Sequence, residues 1–282
     1  MVKTAWVTDS TAFLDEELKN HPDLYTVPLT ILLDGEEFSD GIDLSPAELF
    51  ERLKHLNTPP KTSQPSVGAF QELYDRLAKE YDQIVTVLLS GKLSGTVSSS
   101  EQAAKLVDIP VTTFDSKILT YPMTAILKKG MELLNSGSNL ESVLDHMGKI
   151  RDTNETYVLV GSLEQLHRGG RMNGVQFFLG SLLNVKPIIS IEDGVLNVKE
   201  KVRSEKKAKE KILDYLKSSY EKYHFKEVYI LYGLHEDQAN SWKIDLEQQF
   251  PALTVICCPL GAVIGVHAGE NTLGISWHNA LK

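Results

Sequence analysis

The run IVTVLLS, residues 84–90, is apolar at nearly every position and strand-like in length. A strand without a polar face must be covered on both sides, so this run constrains the fold more than any other feature of the chain. TAWVTD (4–9), YTVPLTILLDG (25–35), VTTFDS (111–116) and TYVLVGS (156–162) read as further strands. Amphipathic helices fall between them. In VGAFQELYDRLAKEY (67–81), Phe70, Leu73, Tyr74 and Leu77 share one helical face, and Ser66 after Pro65 is placed to cap it. Strands alternating with helices predict a parallel sheet wrapped by helices.

The second half of the chain changes character. PIISIEDGVLNVKEKV (187–202) holds two alternating runs joined by Asp193-Gly194, which predicts a hairpin. A charged helix over 204–219, the strand EVYILYG (227–233), a helix over 236–248 and the strand LTVICCPL (253–260) follow. A hairpin among alternating elements predicts a mixed sheet covered by helices. With 282 residues there is room for two such domains. The change of pattern near 155–162 sets the expected boundary, with domains at 1–158 and 159–282. No Pro/Ser-rich linker marks it.

Net charge and cysteine content exclude several classes. A formal charge of −9 disfavours a general nucleic-acid or anionic-membrane binder. The cysteines are Cys257 and Cys258, adjacent and without other partners, so no disulfide framework is expected. MVKTAWVTDS lacks the apolar core of a signal peptide, and no run reaches the roughly 18 apolar residues of a membrane span. A cytoplasmic protein is expected.

Short polar segments follow the strand-like runs, where α/β proteins place their binding loops. They are TDSTAF (8–13), KTSQPS (61–66), SGKLSGT (90–96), FDS (114–116), LHRGGR (166–171) and GVHAGENTLG (265–274). Each has a plain reading as well: Asp9, Ser66 and Ser94 as helix caps, His267 as an ordinary hydrogen-bonded histidine. SGKLSGT lacks the spacing of a phosphate loop, and an esterase elbow at Ser94 would need glycine where Lys92 stands. There is no GxGxxG after a strand, no HExxH and no acidic metal loop, so neither cofactor nor metal is expected.

What remains is a set of hydroxyls, glycine-rich backbone, one histidine and one arginine. Such a set suits a carboxylate. Thr62 and Ser94 can donate O–H bonds, the N–H groups of Gly95 and Thr96 at a helix start favour an anion, and Arg171 and His267 can donate or balance charge. The apolar segment 175–191 beside Arg171 reads as core helix and strand, or as the wall of an alkyl tunnel. An acyl hydrolase using Ser94 and His267, with Asp9 or Asp115 as orienting acid, is the competing reading.

Taken together, these segments resemble the DegV family of bacterial fatty-acid-binding proteins. VTDSTAFL, TSQPSVGAF, LSGTVSSS, Asp115-Ser116, RGGRMNGVQFFLGSLLNVKPIISIEDG and GVHAGENTLG match in order and approximate spacing over nearly the whole chain. The departures are Glu270-Asn271, where the family commonly has Gly-Pro-Gly, and KILTYPM (117–123), where it commonly has small residues. The resemblance implies a two-domain α/β fold: a three-layer α/β/α first domain with a parallel sheet, and a two-layer second domain with a mixed sheet. It implies a long-chain fatty acid such as palmitate or oleate, with its carboxylate on Thr62 and Ser94 and with Arg171 and His267 nearby. It also implies a carrier and not an enzyme. Such a carrier presents the lipid to a separate ATP-binding kinase subunit, which makes an acyl phosphate for phospholipid synthesis. Membrane contact would be transient at most. Within the basic stretch KEKVRSEKKAKEK (199–211), read otherwise as a solvated helix face, the resemblance singles out Arg203 as a docking residue.

Overall fold

A computed structural model describes residues 2–171 and 185–281. By packing, the chain divides into two compact units: Met1–Met147 with Gly261–Val263, and Gly148–Leu260 with Ile264–Lys282. The division differs from the expected 1–158 and 159–282. The reason is that the strand spanning the expected boundary belongs wholly to the second sheet.

The first unit runs β1 (Thr4–Asp9), α1 (Glu16–Lys19), β2 (Leu24–Val27), β3 (Thr30–Leu33), β4 (Glu36–Ser39), α2 (Pro46–Leu53), β5 (Lys61–Ser63), α3 (Val67–Leu77), β6 (Gln83–Leu88), α4 (Thr96–Ala104), β7 (Val111–Asp115), α5 (Thr120–Asn135) and most of α6 (Leu140–Arg151). Its main sheet is parallel, in the order β2-β1-β6-β7. Alternation along β1 fills both faces. Ala5 and Val7 join Phe70, Leu73, Tyr74 and Leu77 of α3 and Ala103 of α4 in one core. Trp6 points the other way, toward Gly130 of α5 and Met147 of α6, where a Cβ on Gly130 would meet the Trp6 ring at 3.0 Å. Helices therefore cover both faces, as the apolar run at 84–90 requires. Ser66 caps α3 by accepting from Ala69 N at 3.0 Å.

YTVPLTILLDG is two strands. Pro28 has no N–H to give a ladder, and the chain changes sheet there. β2 stays in the parallel sheet, while β3 forms an antiparallel ribbon in the order β4-β3-β5. The β3–β4 turn is Asp34-Gly35, with φ of +48° and +92°. Both values are positive, as a tight hairpin turn of this hand demands. KTSQPS, expected as a loop, begins as strand β5, with Thr62 opposite Ile31.

The second unit runs β8 (Asn154–Leu159), α7 (Leu163–Arg168), β9 (Lys186–Glu192), β10 (Val195–Val202), α8 (Glu205–Tyr223), β11 (Glu227–Tyr232), α9 (Glu236–Gln249), β12 (Thr254–Pro259), the part of α10 (Gly261–Ala268) from Ile264 onward, its first three residues packing with the first unit, and β13 (Leu273–His278). Its sheet is mixed, in the order β10-β9-β8-β13-β11-β12, with β11–β12 the parallel pair. The Asp193-Gly194 hairpin forms as expected, at φ +48° and +81°. On one face, Ala208, Ile212 and Leu216 of α8 and Ala239, Trp242 and Leu246 of α9 pack on Ile188, Val228, Ile230, Ile275 and Trp277. Fully burying a Val, Leu or Ile side chain of this set contributes about 1.5–3 kcal/mol. No helix among the described residues is long and apolar enough to cross a membrane.

Candidate functional site

In the first unit the loops that follow β1, β6 and β7 leave the same end of the parallel sheet, and two carboxylates, one buried and one half-buried, tie them together. Asp9, at the end of β1, is fully buried. One of its oxygens accepts from Thr11 N (2.9 Å) and Thr11 Oγ1 (2.5 Å), and the other from Leu89 N at 2.7 Å. Burial, opposed by these hydrogen bonds, pushes its pKa up to about 6. Asp115, at the end of β7, accepts from Gly91 N (3.2 Å) and Lys117 N (2.8 Å). Ser90 N donates to Ile118 O at 2.8 Å. Asp9 is thus no helix cap. Asp9 and Asp115 hold loop backbone.

These ties fix the segment carrying Ser94. Ser94 N donates to Ser90 O at 3.1 Å, and Ser94 Oγ lies 2.9 Å from Thr96 Oγ1. Ser94 is not the cap of α4. Gly95 holds that position, with no side-chain cap. The N–H groups of the first turn of α4 are therefore left without a side-chain cap, beside a pair of hydroxyls. A Cβ on Gly95 would meet Gln64 Nε2 at 3.0 Å, so the segment seats directly against the residue two places after Thr62. Thr62 and Ser94 are half-buried and Thr96 is buried. The structure brings TSQPS and LSGT together on one side of the first unit.

The ribbon bearing Thr62 has a second anchor that the sequence did not reveal. Asp40, just after β4, is buried and accepts from Val263 N at 3.2 Å, and Ala262 N and the Ser10 hydroxyl also donate to it. Ser10 Oγ in turn accepts from Leu29 N. Ser10, the middle residue of DST, is thereby engaged in holding the ribbon base. The only sequence hint was a small polar residue flanked by Asp9 and Thr11.

In the second unit, LHRGGR and GVHAGENTLG meet. Both were expected as loops after strands, but LHR closes helix α7 and His267 sits in the last turn of α10. Ser162, the N-cap of α7, donates its N–H to Ala268 O at 2.9 Å. Arg171 is half-buried and donates from Nη1 to Gly169 O at 2.6 Å. The His267 ring lies against Gly169, with Nδ1 sealed from solvent. Burial first, then the Arg171 charge, pulls the His267 pKa down to about 4. The ring is therefore neutral near pH 7. A neutral ring has one N–H to donate.

The DegV family model matches residues 3–280. The chain belongs to the DegV family. Protein DegV of Bacillus subtilis is 34% identical over 275 residues, 97% of this chain and 98% of that protein. The crystal structure of the Bacillus subtilis DegV, described as a fatty acid binding protein, aligns with a TM-score of 0.91 over 99% of each chain at 34% identity. A DegV family protein from Thermus thermophilus, described in terms of fatty acid binding, gives a TM-score of 0.91 at 33% identity over 97% of this chain and 98% of that one. A stearic-acid-binding protein from Eubacterium ventriosum gives 0.87 at 25% identity over 98% and 97%. The two-domain fold, with one parallel and one mixed sheet, is that of these DegV structures.

Three further expectations can be placed on this DegV fold. The tunnel-wall segment 175–191 falls partly at 172–184, outside the described residues, and its end, from Lys186, is β9. Arg203 is exposed between β10 and α8. Much of the charge around it is already matched: Lys199 pairs with Glu192, Lys209 with Asp245 and Lys211 with Glu200. Among the described residues, no group of three or more His, Cys, Asp or Glu could hold a metal ion.

Proposed function

We propose that this DegV protein binds a long-chain fatty acid and presents its carboxylate to a separate ATP-binding kinase subunit. The observation that carries the reading is the start of α4, where the Ser94–Thr96 hydroxyl pair lies beside N–H groups that no side chain caps. One carboxylate can accept from the Ser94 hydroxyl and from the Gly95 and Thr96 N–H groups. Thr62, brought alongside through Gln64 and Gly95, supplies a further O–H. Family resemblance assigns Arg171 and His267 to the same head group: Arg171 as its positive charge, His267 as a neutral hydrogen-bond partner.

The kinase would transfer the γ-phosphoryl group of ATP to a carboxylate oxygen, giving acyl phosphate and ADP, and the product would feed phospholipid synthesis. Charge gathers on the transferred group in that step, where a fixed guanidinium and helix N–H groups are useful. On this reading the protein is a carrier. Its ligand is the acyl chain, and no cofactor is needed. Both cysteines are free thiols, in keeping with a reducing cytoplasm. Arg203 is the docking residue we assign to the kinase.

Mass spectrometry of an organic extract of the purified protein tests the binding reading. We expect about one fatty acid per chain by the one-site reading, and strong depletion in Thr62→Ala/Ser94→Ala. A folded parent carrying no lipid and taking up none would overturn it, and turnover of a chromogenic acyl ester lost in Ser94→Ala would replace it with a hydrolase. Arg203→Glu should weaken phosphorylation by the kinase and leave lipid content unchanged. Loss of lipid in that variant would remove the docking role.

A further inference from the structure

The two glycines of LHRGGR do different work. Gly170 has φ +72° and open space where a Cβ would stand, so it is glycine for its backbone conformation. Gly169 has φ −71° and ψ −8°, which any residue adopts. Its lack of a side chain answers to something else. A Cβ on Gly169 would collide with Nδ1 of His267 and stand 2.9 Å from Cε1. The ring occupies the volume that a methyl group would need.

The same residue holds the arginine. Gly169 O accepts from Arg171 Nη1 at 2.6 Å. Gly169 is itself fixed as the C-cap of α7, its N–H donating to Gln165 O at 2.8 Å, while Gly170 N donates to His167 O at 2.9 Å. The helix behind it is locked to the end of α10 at two points. Ser162 N donates to Ala268 O, and Gly269 lies so close to Ser162 that a Cβ there would stand 3.0 Å from Ser162 N. Seat and ring therefore belong to two short helices that cannot slide independently.

We infer that Gly169 is the positioning residue for both head-group side chains of the second unit, its carbonyl aiming Arg171 and its bare Cα seating the His267 ring. The importance of that aim rests on the proposed carboxylate role of Arg171 and His267; the seat itself is a matter of packing. A side chain at 169 must expel the ring, because the other side of the clash is the turn of α7 (a Cβ would also stand 3.2 Å from Gln165 O). The ring would move into a wetter setting, away from Arg171.

The test is a cycle of Gly169→Ala, His267→Ala and the double variant, with Gly170→Ala as comparator. The readouts are fatty acid affinity, denaturant stability and, where His267 is present, the nitrogen resonances of its ring. Gly169→Ala should weaken fatty acid binding about tenfold, the scale of a displaced polar contact, and move the His267 titration midpoint up toward the ordinary histidine value. In the His267→Ala background the same change should alter binding and stability less than about twofold, since contacts that no longer exist cannot be coupled. Gly170→Ala should cost the same in both backgrounds.

If Gly169→Ala leaves the ring resonances where they were, or costs as much without His267 as with it, the seat is refuted. If Gly169→Ala does not fold, the double variant decides: recovery of folding supports the seat, and failure of both refutes it. Should the parent bind no fatty acid, the carboxylate reading falls alone. The ring resonances and the stability cycle still decide the seat.

Discussion

Asp9 in the first unit and His267 in the second are both withdrawn from water, and burial acts on their pKa values in opposite senses. Asp9 is a carboxyl with three hydrogen-bond donors on it, pushed up to about 6. His267 is a base on α10 set against the C-cap of α7, pulled down to about 4. Both shifts favour the neutral form, because desolvation penalises charge of either sign. Their surroundings are built differently. Around Asp9 the loops are held by carboxylates that accept backbone N–H groups. In the unit of His267 close approach rests on missing side chains: Gly161, Gly169, Gly233 and Gly269 in the connections and Gly274 in β13 each have a neighbouring atom where a Cβ would go. The first arrangement is sensitive to protonation and the second to volume.

The largest effect should follow from adding volume in the second unit. A Cβ on Gly274 of β13 would meet Tyr157 O and Val158 in the paired strand β8, where backbone cannot yield. Gly274→Ala should cost about 3 kcal/mol or more in denaturant stability, the upper range for overpacking. A change below about 1 kcal/mol would mean that the sheet can open there, and the steric half of the contrast would fail.

Protonation supplies the next effect. The folded pKa of Asp9 lies above its ordinary value of 3.8, so the folded state holds the proton more tightly. Its contribution is fully present below about pH 4 and is lost as pH rises through about 6. Asp40, raised by burial, acts in the same sense. Asp9→Asn should flatten this part of the stability–pH curve relative to the parent, with a difference of about 3 kcal/mol across the window if the whole shift is expressed. Parallel curves for parent and variant would show that Asp9 does not titrate there.

His267 should give the opposite slope. Its folded pKa lies below the ordinary 6.5, so its contribution is present above that value and is lost as pH falls toward about 4. His267→Gln keeps a polar side chain without the titration, and should remove stability loss between these pH values while Asp9→Asn does not. Equal pH curves for parent and His267→Gln would erase the contrast between the units.

The smallest effect belongs to the tip of the ribbon. The Asp34 carboxylate accepts from Asn57 N, Asn57 Nδ2, Thr58 N and Thr58 Oγ1, all at the surface, and these bonds hold its pKa below the usual carboxylate range. Asp34→Asn keeps the turn conformation and removes the charge. Amide exchange at Asn57 and Thr58 should quicken with global stability nearly unchanged. Protection unchanged at both amides would mean that the clasp does not order the approach to Thr62.

The two Asp-Gly turns show how far local signals reach. Asp193-Gly194 was legible because long alternating runs flank it on both sides. Asp34-Gly35 adopts the same positive φ values, yet it followed YTVPLTILL, which reads as one strand until Pro28 divides it between two sheets. Ser66 was legible as a cap because its hydroxyl acts three residues away, on Ala69. Asp40 was not legible, since its partner Val263 lies 223 residues further on. Residues 62, 94, 171 and 267 are singled out in the sequence only as residue types in polar segments and by family resemblance. That His267 belongs to a helix and is neutral depends on packing between α7 and α10.

The sequence by itself determined the parallel sheet, the mixed sheet with its hairpin, the covering helices and the polar segments between them. Each of these is written in periodicity and turn chemistry, which act over a few residues. Tertiary structure decided which strand of a run joins which sheet, which carboxylate holds which loop, and what charge His267 carries. Those outcomes depend on desolvation and on volume excluded by groups distant in the chain, and no local pattern encodes either.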